Sequence, residues 1–231
     1  VRCRPWGLPP PACSPRWPEV RFLDPRHAPA HTLPCALRDY LERHRGRPRY
    51  AAWTLPVACP PVLARLARAQ AHLGDWLLPG YRRQAHVTLF VCGFPCAQAQ
   101  HDDDFPAARL AAQLDALRDL RARPLRLRVG GLDSFASAPF LAVDDPENAL
   151  APLRAALAAQ GAEVRQAPYR AHLTVGLYAR RLPAAEVRRR LAAFADAAPL
   201  ELAVDELQLS SYASRELFGP LRCEQRLRLR A

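Results

Sequence analysis

Two short stretches with one shared pattern constrain this chain most: residues 85–89, AHVTL, and residues 171–175, AHLTV. Successive side chains of a β-strand point to opposite faces. In each stretch the histidine and the threonine therefore share one face, and the alanine and larger apolar residues share the other. The pattern predicts two strands that bury one face in a core and present an imidazole beside a hydroxyl on the other.

The repetition argues against coincidence. The chain has seven histidines and only four threonines in 231 residues, so random placement rarely produces even one His-x-Thr triplet. A single histidine on a strand is more often structural than catalytic, but two in the same setting favour a shared function. A chance arrangement in the core or on the surface is the alternative.

Composition limits the classes of protein to consider. Half of the residues are hydrophobic, which is enough for a sizeable core, and the length predicts one domain of two lobes or two small domains. No run approaches the 18 or more apolar residues of a membrane helix, so we expect no membrane association. The net charge of +11 favours polyanionic partners, with a generally basic surface as the alternative.

Cysteine usage indicates a reducing compartment. The seven cysteines are odd in number and irregularly spaced, which argues against a disulfide framework and against a zinc site. Residues 1–18 contain no apolar core of a secretory signal. We therefore expect free thiols and a cytoplasmic protein.

The chain divides near residue 47. Residues 1–47 hold nine of the 24 prolines and are predicted to be an irregular, Pro-rich N-terminal extension. Residues 48–231 are predicted to form the folded domain. Hydrophobic periodicity and turn residues predict its elements. The strands are expected at residues 50–55, 85–92, 125–129, 140–143, 169–178, 200–209 and 221–229, and the helices at residues 62–73, from the aspartates 102–104 to about 122, 144–160 and 183–195.

Both halves of the domain follow the same order: strand, helix, His-x-Thr strand, helix, strand. This order suggests a duplicated unit whose two lobes are related by a pseudo-twofold axis. Such an axis would bring both His-x-Thr strands to one cleft. The three aspartates at 102–104 are compatible with a metal site beside His101, but carboxylates at a helix N-terminus explain them more simply.

Two imidazoles in one cleft provide a general base and a general acid, because their usual pKa near 6.5 allows one to be neutral and the other protonated. The hydroxyls of Thr88 and Thr174 suit a phosphoryl oxygen that gains charge in the transition state. The chemistry that fits is in-line displacement at phosphorus without a metal or cofactor. The sequence contains no P-loop glycine pattern and no G-x-S-x-G elbow.

The two motifs, His86-Val87-Thr88-Leu89 and His172-Leu173-Thr174-Val175, resemble the H-x-T-Ψ signature of the 2H phosphoesterase superfamily, where Ψ is apolar. The element order is similar to the bacterial RNA 2′,3′-cyclic phosphodiesterases that are often called 2′-5′ RNA ligases. The resemblance covers about residues 48–230. It implies an α+β, bilobal fold of duplicated β-α-β-α-β units with antiparallel sheets around a central cleft.

The resemblance also implies a function. It indicates a metal-independent enzyme that hydrolyses a 2′,3′-cyclic phosphate to a 2′-phosphate, acting on RNA ends or on small cyclic nucleotides. By similarity, His86 is expected to be the acid toward the leaving 3′ oxygen and His172 the base toward water, although a near-symmetric site is compatible with the reverse. A 2′-5′ RNA ligase acting through the same groups and a non-catalytic RNA- or nucleotide-binding module are the alternatives. We expect a monomer.

Groove walls are harder to predict. Several residues near the motifs are candidates for lining the groove, with the interior of a lobe or a solvated loop as the alternative. They are Phe90, Phe135, Tyr169, Arg170 and Tyr178, with Tyr81, Arg82 and Arg83 as candidates for its rim.

Overall fold

The computed structural model describes residues 21–24, 28–35, 44–165 and 168–230. Strands and helices alternate along the domain, and one 3₁₀ turn (Gly74–Trp76) follows the first helix. The elements are β1 (Arg49–Pro56), α1 (Pro60–Leu73), β2 (His86–Cys96), β3 (Asp104–Pro106), α2 (Ala107–Leu120), β4 (Leu125–Ser134), β5 (Pro139–Asp144), α3 (Leu150–Ala158), β6 (His172–Thr174), α4 (Ala184–Ala192), β7 (Leu200–Val204), β8 (Glu206–Ala213) and β9 (Arg222–Arg228).

All of these strands belong to one sheet, in the order β7-β4-β5-β6-β2-β1-β8-β9, and β3 pairs with β2 alone. Every pairing is antiparallel except β2 with β3. The motif strands β2 and β6 are neighbours at the centre. Outward from them, β1, β8 and β9 on one side mirror β5, β4 and β7 on the other. The α+β bilobal fold is confirmed, and the two lobes share one continuous sheet.

The two sequence units are interlocked rather than side by side. The last strand of the first unit, β4, pairs with β5 of the second unit, and β8 pairs back with β1. Only Asp205 separates β7, at one edge of the sheet, from β8 near the other edge. The single strand predicted at residues 200–209 is therefore wrong. The sheet curls strongly, because its two ends meet at this residue, where the Leu229 amide donates to the Asp205 carbonyl at 2.8 Å.

Within the described residues, four helices cover one face of the sheet in two pairs. In one pair, α1 contacts α4 through His72 and Arg190, and in the other the Gln113 side chain of α2 donates to the Leu157 carbonyl of α3. Helix α1 begins with two prolines and stops at Gly74, whose φ of 40° few other residues adopt. The apolar residues of the motif strands are buried beneath the helices, namely Val87, Leu89, Leu173 and Val175. The histidine and threonine face is left to the concave side.

Several element boundaries differ from the predictions. Strand β4 does not end at Val129, as predicted, but continues to Ser134 through an irregularity between Val129 and Leu132. Helix α3 begins at Leu150 rather than at residue 144, because the Asp145 carboxylate accepts the amides of Ala149 and Leu150 at the helix start. The second motif strand is only three residues long, and the chain around it is irregular.

The aspartates at residues 102–104 do not cap α2, whose start at Pro106 has no side-chain cap. Asp103 and Asp104 instead pair with Arg47, at 2.6 and 2.5 Å. Asp104 also accepts the backbone amides of Gln100 and His101, and these bonds help to hold the pKa of its buried carboxyl below the usual value. The cluster fixes a loop to the start of β1. In the parts of the chain that the structure describes, no three His, Cys, Asp or Glu side chains are grouped so as to hold a metal ion.

Part of the predicted extension packs onto the domain. Phe22 and Thr32 are fully buried, while residues 1–20, 25–27 and 36–43 of the extension lie outside the described residues. The described cysteines 35, 59, 92, 96 and 223 form no disulfide with one another, and Cys3 and Cys13 are not described. Over the described residues, no helix has both the length and the apolar character needed to cross a membrane.

Candidate active site

The four motif side chains meet at the centre of the sheet. Val87 of β2 pairs with Leu173 of β6. In an antiparallel pair this register sets His86 opposite Thr174 and Thr88 opposite His172, all four on the face opposite to the buried pair. The two histidines are diagonal neighbours, which places their backbones about 7–8 Å apart. That spacing allows one phosphate group to contact both imidazoles.

Both imidazoles are held in the same way. His86 Nδ1 lies 2.8 Å from the carbonyl of Gln84, and His172 Nδ1 lies 2.8 Å from the carbonyl of Arg170. A carbonyl only accepts, so Nδ1 carries the hydrogen in each ring. Nε2 is therefore the nitrogen left to exchange a proton with a ligand. The two halves of the molecule thus present two imidazoles in equivalent settings, each able to exchange a proton at Nε2.

Burial lowers the pKa of both histidines to about 4. Desolvation is the main cause for each, because removal from water disfavours the charged imidazolium. The bonds to Gln84 and Arg170 oppose this effect, whereas nearby arginines add to it: Arg83 for His86, and Arg165 and Arg170 for His172. In the free protein both imidazoles are neutral near pH 7.

A cavity of about 150 Å³ opens over this part of the sheet. At about 30 Å³ for each water molecule, it has room for a phosphate group. Three of the four motif side chains line it, and the fourth, His172, lies diagonally across the strand pair from His86. The lining residues are Tyr81, Arg83, His86, Thr88, Ala138, Thr174, Leu177, Tyr212 and Leu217.

Arg83 organises the first-lobe wall of the cavity. Its guanidinium lies 3.9 Å from the centre of the Tyr212 ring and donates to the carbonyls of Leu217 and Gly219. These contacts hold a cation at the cavity and tie the loop between β8 and β9 to the chain just before His86. The predicted rim residues Tyr81 and Arg83 are thus at the cavity. Arg82 points into solvent, where it pairs with Glu216.

Phenylalanine side chains pack against His172. The Phe135 ring lies edge-on to the imidazole, with ring centres 5.0 Å apart, and the Phe140 ring is 5.4 Å away. Phe135, a predicted groove residue, therefore lies next to His172. Its role there is contact with the histidine, since it is not part of the cavity wall.

Phe90 and Tyr178 do not line the cavity, in contrast to the prediction. Thr54 of β1 is opposite Thr88, but the next residue, Trp53, is opposite Phe90. Leu89 is thus an extra residue in β2, and this bulge turns Phe90 into the core. Tyr178 lies beyond the short strand β6, fully buried, with its hydroxyl 2.8 Å from Ser134 Oγ.

Tyr169 supports the first motif strand instead of lining the cavity. Its hydroxyl donates to the Thr88 carbonyl at 3.1 Å, and burial raises the pKa of this hydroxyl to about 12. The Arg154 guanidinium stacks on the Tyr169 ring at 3.7 Å and also donates to the Leu89 carbonyl. Glu163 accepts the Val91 amide and pairs with Arg154.

These side chains occupy the edge of β2 that the short β6 leaves unpaired. They satisfy backbone groups that would otherwise be exposed along the bulge. Arg170, another predicted lining residue, has an exposed side chain and contributes its backbone carbonyl to His172.

Sequence reasoning missed four residues of the cavity wall: Ala138, Leu177, Tyr212 and Leu217. Tyr212 reaches the cavity because β8 pairs with β1, and this pairing joins residues more than 150 positions apart. No local pattern marks such a partner. Ala138 and Leu177 have small or apolar side chains that carry no chemical signal of their own.

Comparison with known proteins identifies the family. The sequence model of the 2′-5′ RNA ligase superfamily matches residues 59–216. The chain belongs to this superfamily. The match spans both motif strands and therefore confirms the resemblance to 2H phosphoesterases. A search of curated proteins finds no significant match.

Solved structures share the fold at low sequence identity. Escherichia coli LigT in complex with NADP+ superposes with a TM-score of 0.52 at 16% identity, covering 79% of this chain and 98% of LigT. TT0787 of Thermus thermophilus gives 0.53 at 18% identity, covering 78% and 98% of the two chains. LigT in complex with 3′-AMP gives 0.53 at 15% identity, covering 80% and 99%. At these identities the likeness concerns the fold.

Proposed function

We propose that this protein is a phosphodiesterase that hydrolyses a 2′,3′-cyclic phosphate at an RNA end or on a nucleotide. The product carries a 2′-phosphate group, and the reaction uses no metal ion. The observation that carries the proposal is the central strand pair, on which His86 and His172 each fix Nδ1 on a carbonyl and leave Nε2 for the substrate. Thr88 and Thr174 stand beside them as hydroxyl donors.

The reaction needs one proton removed and one proton supplied. Nε2 of one histidine takes a proton from water as the water oxygen bonds to phosphorus, in line with the bond from phosphorus to O3′. That bond breaks, and Nε2 of the second histidine, protonated beforehand, gives its proton to O3′. The threonine hydroxyls donate to the non-bridging oxygens as these gain charge.

We assign His172 as the base and His86 as the acid, as expected by similarity. Both rings have a pKa of about 4 in the free protein, where Arg165 and Arg170 act on His172 and Arg83 acts on His86. An arriving phosphate anion raises the pKa of both rings and thereby allows the acid to take up its proton.

Charge and aromatic surface around the cavity support a nucleotide or RNA end as the substrate. Arg83 reaches the cavity, and Nη1 of Arg165 is buried and finds no hydrogen-bond partner among the described residues. Tyr81 and Tyr212 offer ring surface to a base or ribose. Escherichia coli LigT, which shares the fold, forms complexes with 3′-AMP and ATP, consistent with a nucleotide as ligand.

The proposal is tested with two substrates, 2′,3′-cyclic AMP and a short RNA that ends in a 2′,3′-cyclic phosphate. Each is incubated with the protein in the presence and absence of EDTA, and the products are identified by ³¹P NMR. We expect equal turnover with and without EDTA and a 2′-phosphate as the single product. The ratio of the two kcat/KM values assigns the preferred substrate class.

Two results would contradict the proposal. Turnover that EDTA abolishes and a divalent cation restores would show that the reaction depends on a metal. Tight RNA binding with no turnover of either substrate would identify a binding module.

A further inference from the structure

Four residues, 135–138, connect β4 to β5 at the second-lobe side of the site and are named the β4–β5 loop here. The loop is closed by the Phe135 amide, which donates to the Ala138 carbonyl at 3.0 Å. It contributes the Phe135 ring to His172 and Ala138 to the cavity wall. Its position therefore affects both the imidazole and the space above it.

Residues 21–24 and 28–35, named the N-terminal segment here, contact this loop along its length. Arg21 forms an antiparallel bridge with Phe135, and the Phe22 amide donates to the Ser134 carbonyl at 3.0 Å. The Arg21 guanidinium also pairs with Asp133, which is buried, at 2.8 Å. The first part of the segment thus pairs with the end of β4 just as the loop begins.

The second part of the segment contacts the rest of the loop. The Leu33 amide donates to the Ala136 carbonyl at 2.7 Å. Cys35 Sγ lies 3.8 Å from the Ser137 carbonyl, which also accepts the amide of Tyr178 at 3.1 Å. Consecutive carbonyls of the loop are therefore bound by groups from outside it.

The segment is itself firmly attached. Phe22 is fully buried in the core, and so is Thr32. The Thr32 hydroxyl donates to the Arg180 carbonyl at 2.7 Å and accepts the Leu182 amide at 2.8 Å. The Thr32 bonds reach residues 180 and 182, so that the segment connects the chain before α4 to the β4–β5 loop.

We infer that the N-terminal segment is a positioning element of the active site, which holds the β4–β5 loop so that Phe135 fixes the ring of His172. The inference rests on the proposed function. The segment lies outside residues 59–216, the region that the superfamily model matches.

The physical reason is the composition of the loop. Ala136, Ser137 and Ala138 provide little side-chain packing of their own, and a loop whose backbone bonds only to water opens readily. Displacement of the Phe135 ring would remove one of the two phenylalanine rings that pack against the imidazole and would let the imidazole turn about its bond to Arg170. Misplacement of a catalytic group by about 1 Å can lower a rate by about 100-fold.

The test uses full-length variants that detach the segment at two separate points. Thr32→Val keeps the shape of the side chain but removes both hydroxyl bonds, and Thr32→Ser retains the hydroxyl as its matched control. Phe22→Ala removes the buried ring, and Leu23→Ala, at a neighbour that is 44% exposed, is its control. The readouts are kcat and KM for 2′,3′-cyclic AMP and the ¹H NMR signals of His172 and His86, with thermal unfolding to establish that each variant is folded.

We expect Thr32→Val and Phe22→Ala to lower kcat about tenfold with KM little changed. The His172 signals should shift more than those of His86, because the edge-on ring current of Phe135 is lost. Thr32→Ser and Leu23→Ala should behave like the wild type.

The inference is overturned if folded Thr32→Val and Phe22→Ala keep the wild-type kcat and unchanged His172 signals. If Phe22→Ala does not fold, the isosteric Thr32→Val decides. If the wild type itself turns over no cyclic phosphate, the proposed function fails, while the NMR signals of His172 still decide whether the segment positions this ring.

Discussion

At the scale of single residues, the site holds two neutral imidazoles that are prepared to receive a proton. Each is fixed at Nδ1 by the carbonyl two residues earlier, and burial lowers the pKa of each to about 4. A histidine with so low a pKa carries no proton to donate at neutral pH. The substrate must therefore promote protonation of the acid histidine when it binds, since a bound anion raises the pKa of an adjacent imidazole.

Binding of a tetrahedral anion should accordingly be coupled to proton uptake. Sulfate is a suitable probe because it does not titrate near neutral pH. We expect isothermal titration calorimetry at pH 6, in buffers of different ionisation enthalpy, to report uptake of about one proton for each sulfate bound. The double variant His86→Asn/His172→Asn, which keeps a side-chain amide donor at both positions, is the control. Sulfate binding to the wild type with no buffer dependence would contradict this coupling.

At the scale of elements, side chains compensate for the shortness of the central strand β6, which is three residues long. Strand β6 covers only part of β2, and β2 bulges at Leu89 just beyond it. Arg154, Glu163 and Tyr169 replace the missing strand by binding the freed backbone groups of β2. The placement of Thr88 thus depends on side chains that do not reach the cavity.

Tyr169→Phe tests this support. The change removes the bond from the Tyr169 hydroxyl to the Thr88 carbonyl but keeps the ring beneath Arg154. We expect a loss of about 1 kcal/mol in the free energy of unfolding, from urea denaturation, and a several-fold fall in kcat. Tyr212→Phe, at the cavity wall, is the matched change. An effect of Tyr169→Phe on KM alone would indicate that Tyr169 contacts the substrate.

The four motif residues were predictable from the sequence because strand alternation acts over two residues and needs no knowledge of the fold. Phe90 shows where that rule stops. One bulged residue reverses the alternation, and the bulge results from pairing with a distant strand, in which Trp53 of β1 is opposite Phe90. The prediction that Tyr169 lines the groove failed for a similar reason, because the strand expected around it is confined to residues 172–174.

At the scale of the whole molecule, the duplicated pattern builds one curled sheet rather than two separate ones. The order of elements in each half was predictable, since the apolar residues of each helix and strand recur with the period typical of that element. The exchange of β4 and β8 between the lobes was not, because it depends on pairings between distant parts of the chain. The same exchange places the motif strands side by side at the centre.

Stability should depend on pH through the two central histidines. Both have a folded pKa of about 4 against about 6.5 in the unfolded chain, so only the unfolded chain binds these protons between those values. Stability is then complete above pH 6.5 and falls as the pH decreases toward 4, by at most about 1.4 kcal/mol per pH unit for each histidine.

Urea unfolding from pH 4.5 to 7.5, in buffers without phosphate or sulfate, measures this dependence. We expect the free energy of unfolding of the wild type to fall more steeply below pH 6.5 than that of His86→Asn/His172→Asn. Parallel curves for the two proteins would show that the imidazoles are protonated as easily in the folded state as in the unfolded chain.

The most direct test of the account compares the single variants His86→Asn and His172→Asn with the wild type on 2′,3′-cyclic AMP. Asparagine keeps a donor for the carbonyl of Gln84 or Arg170 but has no Nε2. The measurement is kcat at saturating substrate, with circular dichroism showing that each variant is folded. The account predicts that either change alone lowers kcat at least about 100-fold. Retention of near wild-type kcat by either variant would contradict it.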